Sequence, residues 1–195
     1  MNVPPSCLRF SSGMTLAELL LVLLLISVLV GMSTSMMRDS IESQQLNTTA
    51  TALTHQLSNC ALQAVRLNRA VEIRFLQNDP ARPGQWCSMQ AWARDPASGT
   101  NQPLGHLFRL GEHITFLDSP EHSGILGLKT SSGHIGGFSF HPRGSTSLPR
   151  IFAKDSNPNC LTLIPSRFLP VRDGSLPSLS RTLSIHPTSG KITLY

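Results

Sequence analysis

Charge is scarce in this sequence: Asp, Glu, Lys and Arg together make up 14% of its 195 residues. The net charge of +5 would suit a nucleic-acid binder, but the sixteen Lys and Arg are scattered singly and form no basic stripe. Catalytic signatures are missing as well. There is no H-E-x-x-H, no G-x-S-x-G, no phosphate loop and no paired-carboxylate motif. Seven histidines occur, none spaced i, i+4 from another on a helix, and they read as solvated or turn residues. The four cysteines, Cys7, Cys60, Cys87 and Cys160, include no C-x-x-C pair and no Cys/His spacing of the zinc type. No metal, no cofactor and no enzymatic activity are therefore expected. What the chain has in quantity is Pro, Gly and Ser, which favour short strands joined by turns. Its length suits one compact domain plus a long terminal helix.

One feature dominates. From Leu19 to Met32 the sequence reads LLLVLLLISVLVGM, and small or apolar residues continue to Met37 before Arg38 brings the next charge. Roughly nineteen such residues at about 1.5 Å each give about 28 Å of helix, close to the hydrocarbon thickness of a bilayer. The segment is expected to span a membrane. A short leader bearing Arg9 precedes it and ends in Ser11-Ser12-Gly13, followed by Met14-Thr15-Leu16-Ala17-Glu18. The carboxylate of Glu18 is out of place there. At the edge of a spanning helix it costs a few kcal/mol, on the order of 2–4, unless it is paired or reaches the interface, so it is a functional candidate. An ordinary secretory signal is the rival reading, because Ser33-Thr34-Ser35 offers small residues at signal-peptidase spacing and cleavage there would release a protein beginning at Met36.

The stretch G-M-T-L-A-E-L-L-L-V-L-L-L-I, residues 13–26, resembles the processing motif of type IV pilins and type II secretion pseudopilins. The resemblance implies that a prepilin peptidase cuts after Gly13, that the new N-terminus at Met14 is methylated, and that Glu18 is the retained glutamate. Met14 departs from the phenylalanine usual after the cut. The physical logic is that the freed ammonium of Met14 in one subunit can lie against the Glu18 carboxylate of another and set axial register. Breaking a buried pair of this kind typically costs about 3–5 kcal/mol, which selects against misregistered subunits.

Beyond Arg38, Leu46, Ala50, Leu53, Leu57, Cys60 or Ala61, and Ala64 recur at helical spacing, and no proline interrupts from Met14 to Arg69. At Ala70 the period changes to two. Val71, Ile73 and Phe75 then alternate with Glu72 and Arg74 as in a half-buried strand. Strand-like runs follow at 86–93, 107–110, 113–117, 137–141, 160–164, 181–186 and 191–195, the last two joined by Pro187-Thr188-Ser189-Gly190 as a hairpin. The expected fold is thus α+β, with a small antiparallel β-sandwich-like head. Its expected parts are a leader at 1–13, a transmembrane stretch at 14–37, an amphipathic helix at 38–69 and a β-rich head at 70–195.

This order of parts is similar to the H-type minor pseudopilins and their FimT-like relatives. The Pro/Ser-rich insertions at 145–158 and 165–180 also resemble the Verru_Chthon cassette protein D family. The likeness implies the pilin fold and a place in the bacterial inner membrane, with the head in the periplasm, before assembly into a filament. It implies other pseudopilins and an assembly platform as partners. Within it stands an alternative, DNA uptake, with Arg181 and Lys191 as the phosphate contacts. With the leader removed three cysteines remain. They allow one disulfide, Cys87 with Cys160, or serve as small buried apolar residues.

Overall fold

The computed structural model describes residues 15–150, 159–169 and 175–195, the side chains of 32–36 and 38 excepted. By its internal packing the chain forms two units, Met1–Ile41 and Glu42–Tyr195.

A helix, α1, runs from Leu16 to Arg66. In the second unit its buried stripe is Leu46, Ala50, Leu53, Leu57, Cys60 and Ala64, the periodic set read from the sequence, with Cys60 rather than Ala61 facing inward. The helix ends three residues before the expected Arg69. Asn68 takes a positive φ of 51°, and the N–H groups of Asn68 and Arg69 bond the carbonyls of Val65 and Ala64 at 3.1 Å each. This paired closure satisfies carbonyls that the helix end would leave open, with asparagine in the place glycine usually takes.

Eight strands follow. They are β1 (Val71–Leu76), β2 (Ser88–Arg94), β3 (Asn101–Arg109), β4 (Ile114–Phe116), β5 (Gly137–Phe140), β6 (Cys160–Pro165), β7 (Arg181–Ile185) and β8 (Ile192–Leu194). Two antiparallel four-stranded sheets result, in the orders β3-β2-β1-β5 and β4-β6-β7-β8. Each sheet sends one face to a common core shared with α1. Val71, Ile73 and Phe75 of β1 enter it while Glu72 and Arg74 point the other way, as alternation demands. Phe75 meets Phe116 edge to face at a centroid distance of 5.1 Å, which ties the first sheet to the second.

Strand β3 begins six residues earlier than the sequence suggests. Pro103 and Gly105 within it read as loop punctuation, yet β3 lies at the edge of its sheet, where a proline withdraws no needed ladder bond. The register shift between Met89 and Ala91 of β2 takes up the irregularity. The terminal hairpin is as expected: Gly190 has a φ of 62°, and its N–H donates to His186 O at 2.8 Å.

Arg82 holds the irregular connections together. Its Nε and Nη2 meet Asp79 Oδ2 at 2.9 Å, and Nη1 reaches the carbonyl oxygens of Gly111, Glu112 and Ile114 at 3.0, 3.1 and 2.8 Å. Truncation leaves three carbonyls short of a charged donor, so Arg82→Ala is expected to cost about 2–3 kcal/mol in denaturant unfolding. Lysine, lacking the planar fork, should restore less than half of that loss.

Candidate functional site

Gly13 and Met14 lie outside the described residues; Thr15 to Glu18 do not. The Thr15 N–H donates to Glu18 Oε2 at 2.9 Å, Thr15 Oγ1 donates to the same oxygen at 3.0 Å, and the Glu18 N–H donates to Thr15 Oγ1 at 3.3 Å. These are the reciprocal bonds of a capping box. Thr15 takes the cap position, Glu18 lies three residues on, and the first free N–H groups of α1 are satisfied by both side chains. The signal T-x-x-E stands in the sequence, so Thr15 was legible as a partner of Glu18. Glu18 thereby has a local task in the helix, independent of any second subunit.

From inside the box onward the apolar run is bare. Leu16 is 79% exposed, Leu24 63% and Leu29 65%, and even Val22, among the less exposed, stands at 40%. Fully burying one such side chain is worth about 1.5–3 kcal/mol, so this surface is a strong driver of association. Among the described residues no helix is long and apolar enough to cross a membrane, the run of described apolar side chains ending at Gly31.

In the second unit, an ion pair and a hydrogen bond from a guanidinium tie the helix to the second sheet and its flanks. Arg167 Nη2 meets Glu42 Oε2 at 2.9 Å, and Arg181 Nε donates to Asn47 Oδ1 at 2.6 Å. Arg181 Nη1 also donates to Ser180 O at 2.8 Å. The residue expected at a nucleic-acid contact therefore has two of its three nitrogens committed to internal bonds. Lys191 is exposed just past the β7–β8 turn, at the opposite end of the strand pair from Arg181.

Cys87 and Cys160 are both buried thiols, as is Cys60, and the Cys87–Cys160 bridge is not made. Cys160 Sγ donates to His122 O at 3.2 Å. Burial pushes the Cys60 thiol up to about 11 and raises Cys160 as well. At pH 8 almost no Cys60 is thiolate, so iodoacetamide should label Cys60 only after unfolding, a result mass spectrometry of native against denatured protein would check. Among the described residues no three His, Cys, Asp or Glu side chains converge on a metal site.

No family model matches the chain, and no curated protein does. Solved structures do. The type IV minor pilin FimU of Pseudomonas aeruginosa is similar at 19% identity, with 78% of this chain and 89% of that one covered and a TM-score of 0.46. The minor pseudopilin EpsH from the type 2 secretion system of Vibrio cholerae is similar at 10% identity, covering 77% and 96% of the two chains with a TM-score of 0.47.

Proposed function

We propose that this chain is a structural minor pseudopilin, a filament subunit rather than an enzyme. The observation that carries the reading is the bare apolar surface of α1 from Leu16 to Val30, opened by a single carboxylate at Glu18. Such a surface needs lipid or other apolar helices around it, and the sequence continues it through small residues to Met37, long enough to cross a bilayer. In this reading the precursor sits in the bacterial inner membrane with its head outside the cytoplasm. A prepilin peptidase removes residues 1–13, and Met14 becomes the methylated N-terminus. Assembly then moves the helix from lipid to a bundle of sister helices, where the Met14 ammonium of one subunit meets the Glu18 carboxylate of another. Charge neutralisation and apolar burial drive the same step. The partners are the peptidase, other pseudopilins and an assembly platform.

The DNA-uptake variant of this reading draws less support, because Arg181 is engaged with Asn47 and Ser180. A soluble product of signal peptidase would use the apolar run for targeting alone, which leaves the Glu18 carboxylate at its start without a purpose. The test is co-assembly in the native cell. A tagged chain should co-purify with sister pseudopilins in the sheared filament fraction, and recovery only as a soluble species without them would overturn the proposal.

A further inference from the structure

The face of the first sheet that points away from the core carries a built cavity. All four strands contribute: Asn101 from β3, Trp92 from β2, Glu72 from β1 and Ser139 from β5, with Ser131 and Ser132 closing one side around about 280 Å³. A second cavity of about 500 Å³ shares Ala70, Arg94 and Gly99 with the first, so the two flank Arg94 as one trough.

Glu72, only 7% exposed, forms the polar centre of this surface. It accepts from Arg74 Nε at 2.6 Å, from Ser131 Oγ at 3.2 Å and from Ser132 Oγ. Burial alone would raise its pKa, but the bonds from Ser132 and Arg74 and the guanidinium charge hold it below the ordinary carboxylate value. The carboxylate is therefore ionised at neutral pH and balanced by Arg74 from within the wall. The Arg74 guanidinium also lies 4.4 Å from the centroid of the Trp92 ring, which fixes that wall. Trp92 Nε1 is shielded from solvent and has no hydrogen-bond partner among the described residues, an unusual state for an indole donor.

The lining restricts what can bind. An anion meets the Glu72 carboxylate in the smaller cavity and the Asp95 carboxylate beside Arg69 and Arg94 in the larger, and a simple cation finds Glu72 balanced by Arg74 and meets those two arginines. An apolar ligand would cover the Asn101 amide without bonding it. An extended peptide adding to the sheet would lie along the edge strand β3, which lends the trough Asn101 alone. A neutral polyhydroxylated ligand satisfies all of these conditions, since each hydroxyl both donates and accepts and the ring body can rest on the indole. We propose that the trough binds a neutral oligosaccharide, one ring seated in the smaller cavity and the chain continuing past Arg94 into the larger. The inference rests on the head alone and stands apart from the filament reading.

The test uses the full chain in a zwitterionic detergent without a sugar headgroup. Maltohexaose, cellohexaose and chitohexaose are titrated beside dextran sulfate, followed by tryptophan fluorescence and calorimetry. At least one neutral hexasaccharide should bind more tightly than about 10 mM. Asn101→Ala, on the exposed edge strand, should weaken it about tenfold without changing the melting temperature, and Trp92→Phe should remove the fluorescence response. The proposal is overturned if none of the three neutral probes binds, if dextran sulfate alone does, or if Asn101→Ala binds as wild type.

Discussion

Replacing Gly137 by alanine is expected to destabilise the head by about 3–5 kcal/mol, the largest loss from any single-methyl addition among the described glycines. Gly137 opens β5 opposite Arg74 of β1. A Cβ there would overlap the carbonyl oxygen of Ile73 and stand 2.7 Å from Thr130 Cγ2. The first obstacle is backbone, so no rotamer change relieves it, and β5 must draw away from β1. Phe138 and Phe140 would be pulled with it, although both are 1% exposed and pack edge to face at 5.0 Å in the core. Gly127→Ala is the control, since a Cβ at that position meets nothing within 4 Å, and its effect should stay within about 0.5 kcal/mol. Chemical denaturation of the two variants would check the pair of values. Equal stability of both would contradict the β1–β5 register.

The second large effect separates the two tasks of Glu18. Glutamine at the third helical position still completes a capping box, so Glu18→Gln should leave the start of α1 intact. It removes the charge, however. A Met14 ammonium buried in a helix bundle would then lack its partner, a loss of about 3–5 kcal/mol, and filament incorporation should fall by roughly two to four orders of magnitude. Glu18→Ala should behave alike in assembly and also fray the helix start. If Glu18→Gln subunits were recovered in sheared filaments at wild-type levels, capping alone would explain the residue and the register role would fail.

Much of the fold was legible because periodicity is a local property. The stripe from Leu46 to Ala64 and the alternation from Val71 to Phe75 each lie in one segment, and all eight strands fall at or within a few residues of the runs that signal them. The losses have local causes too. The first six residues of β3 were hidden by Pro103 and Gly105, whose tolerance depends on the edge position, a tertiary fact. The sequence pattern runs on to Arg69 because the Leu67–Arg69 closure passes through asparagine rather than glycine. Thr15 stands three residues before Glu18, so the capping box has a sequence signal of its own alongside the membrane context of the carboxylate. The cluster around Glu72 leaves no sequence signal. It is assembled from Glu72, Trp92 and Ser132, residues tens of positions apart that only the sheet brings together.

The cysteines illustrate the same limit. Spacing permitted a Cys87–Cys160 bridge or buried thiols, and only the packing distinguishes them, with Cys160 donating to a carbonyl of the neighbouring loop instead. The placement of Arg181 was likewise beyond the sequence, because Asn47 lies 134 positions away on the helix.

The filament account depends above all on how the chain begins once it is mature in its own cell. Intact-mass and N-terminal peptide measurement of the protein from the envelope fraction tests this directly. The account predicts a chain starting at Met14 and carrying one added methyl group. A chain that keeps Met1, or one that starts at Met36, would contradict it.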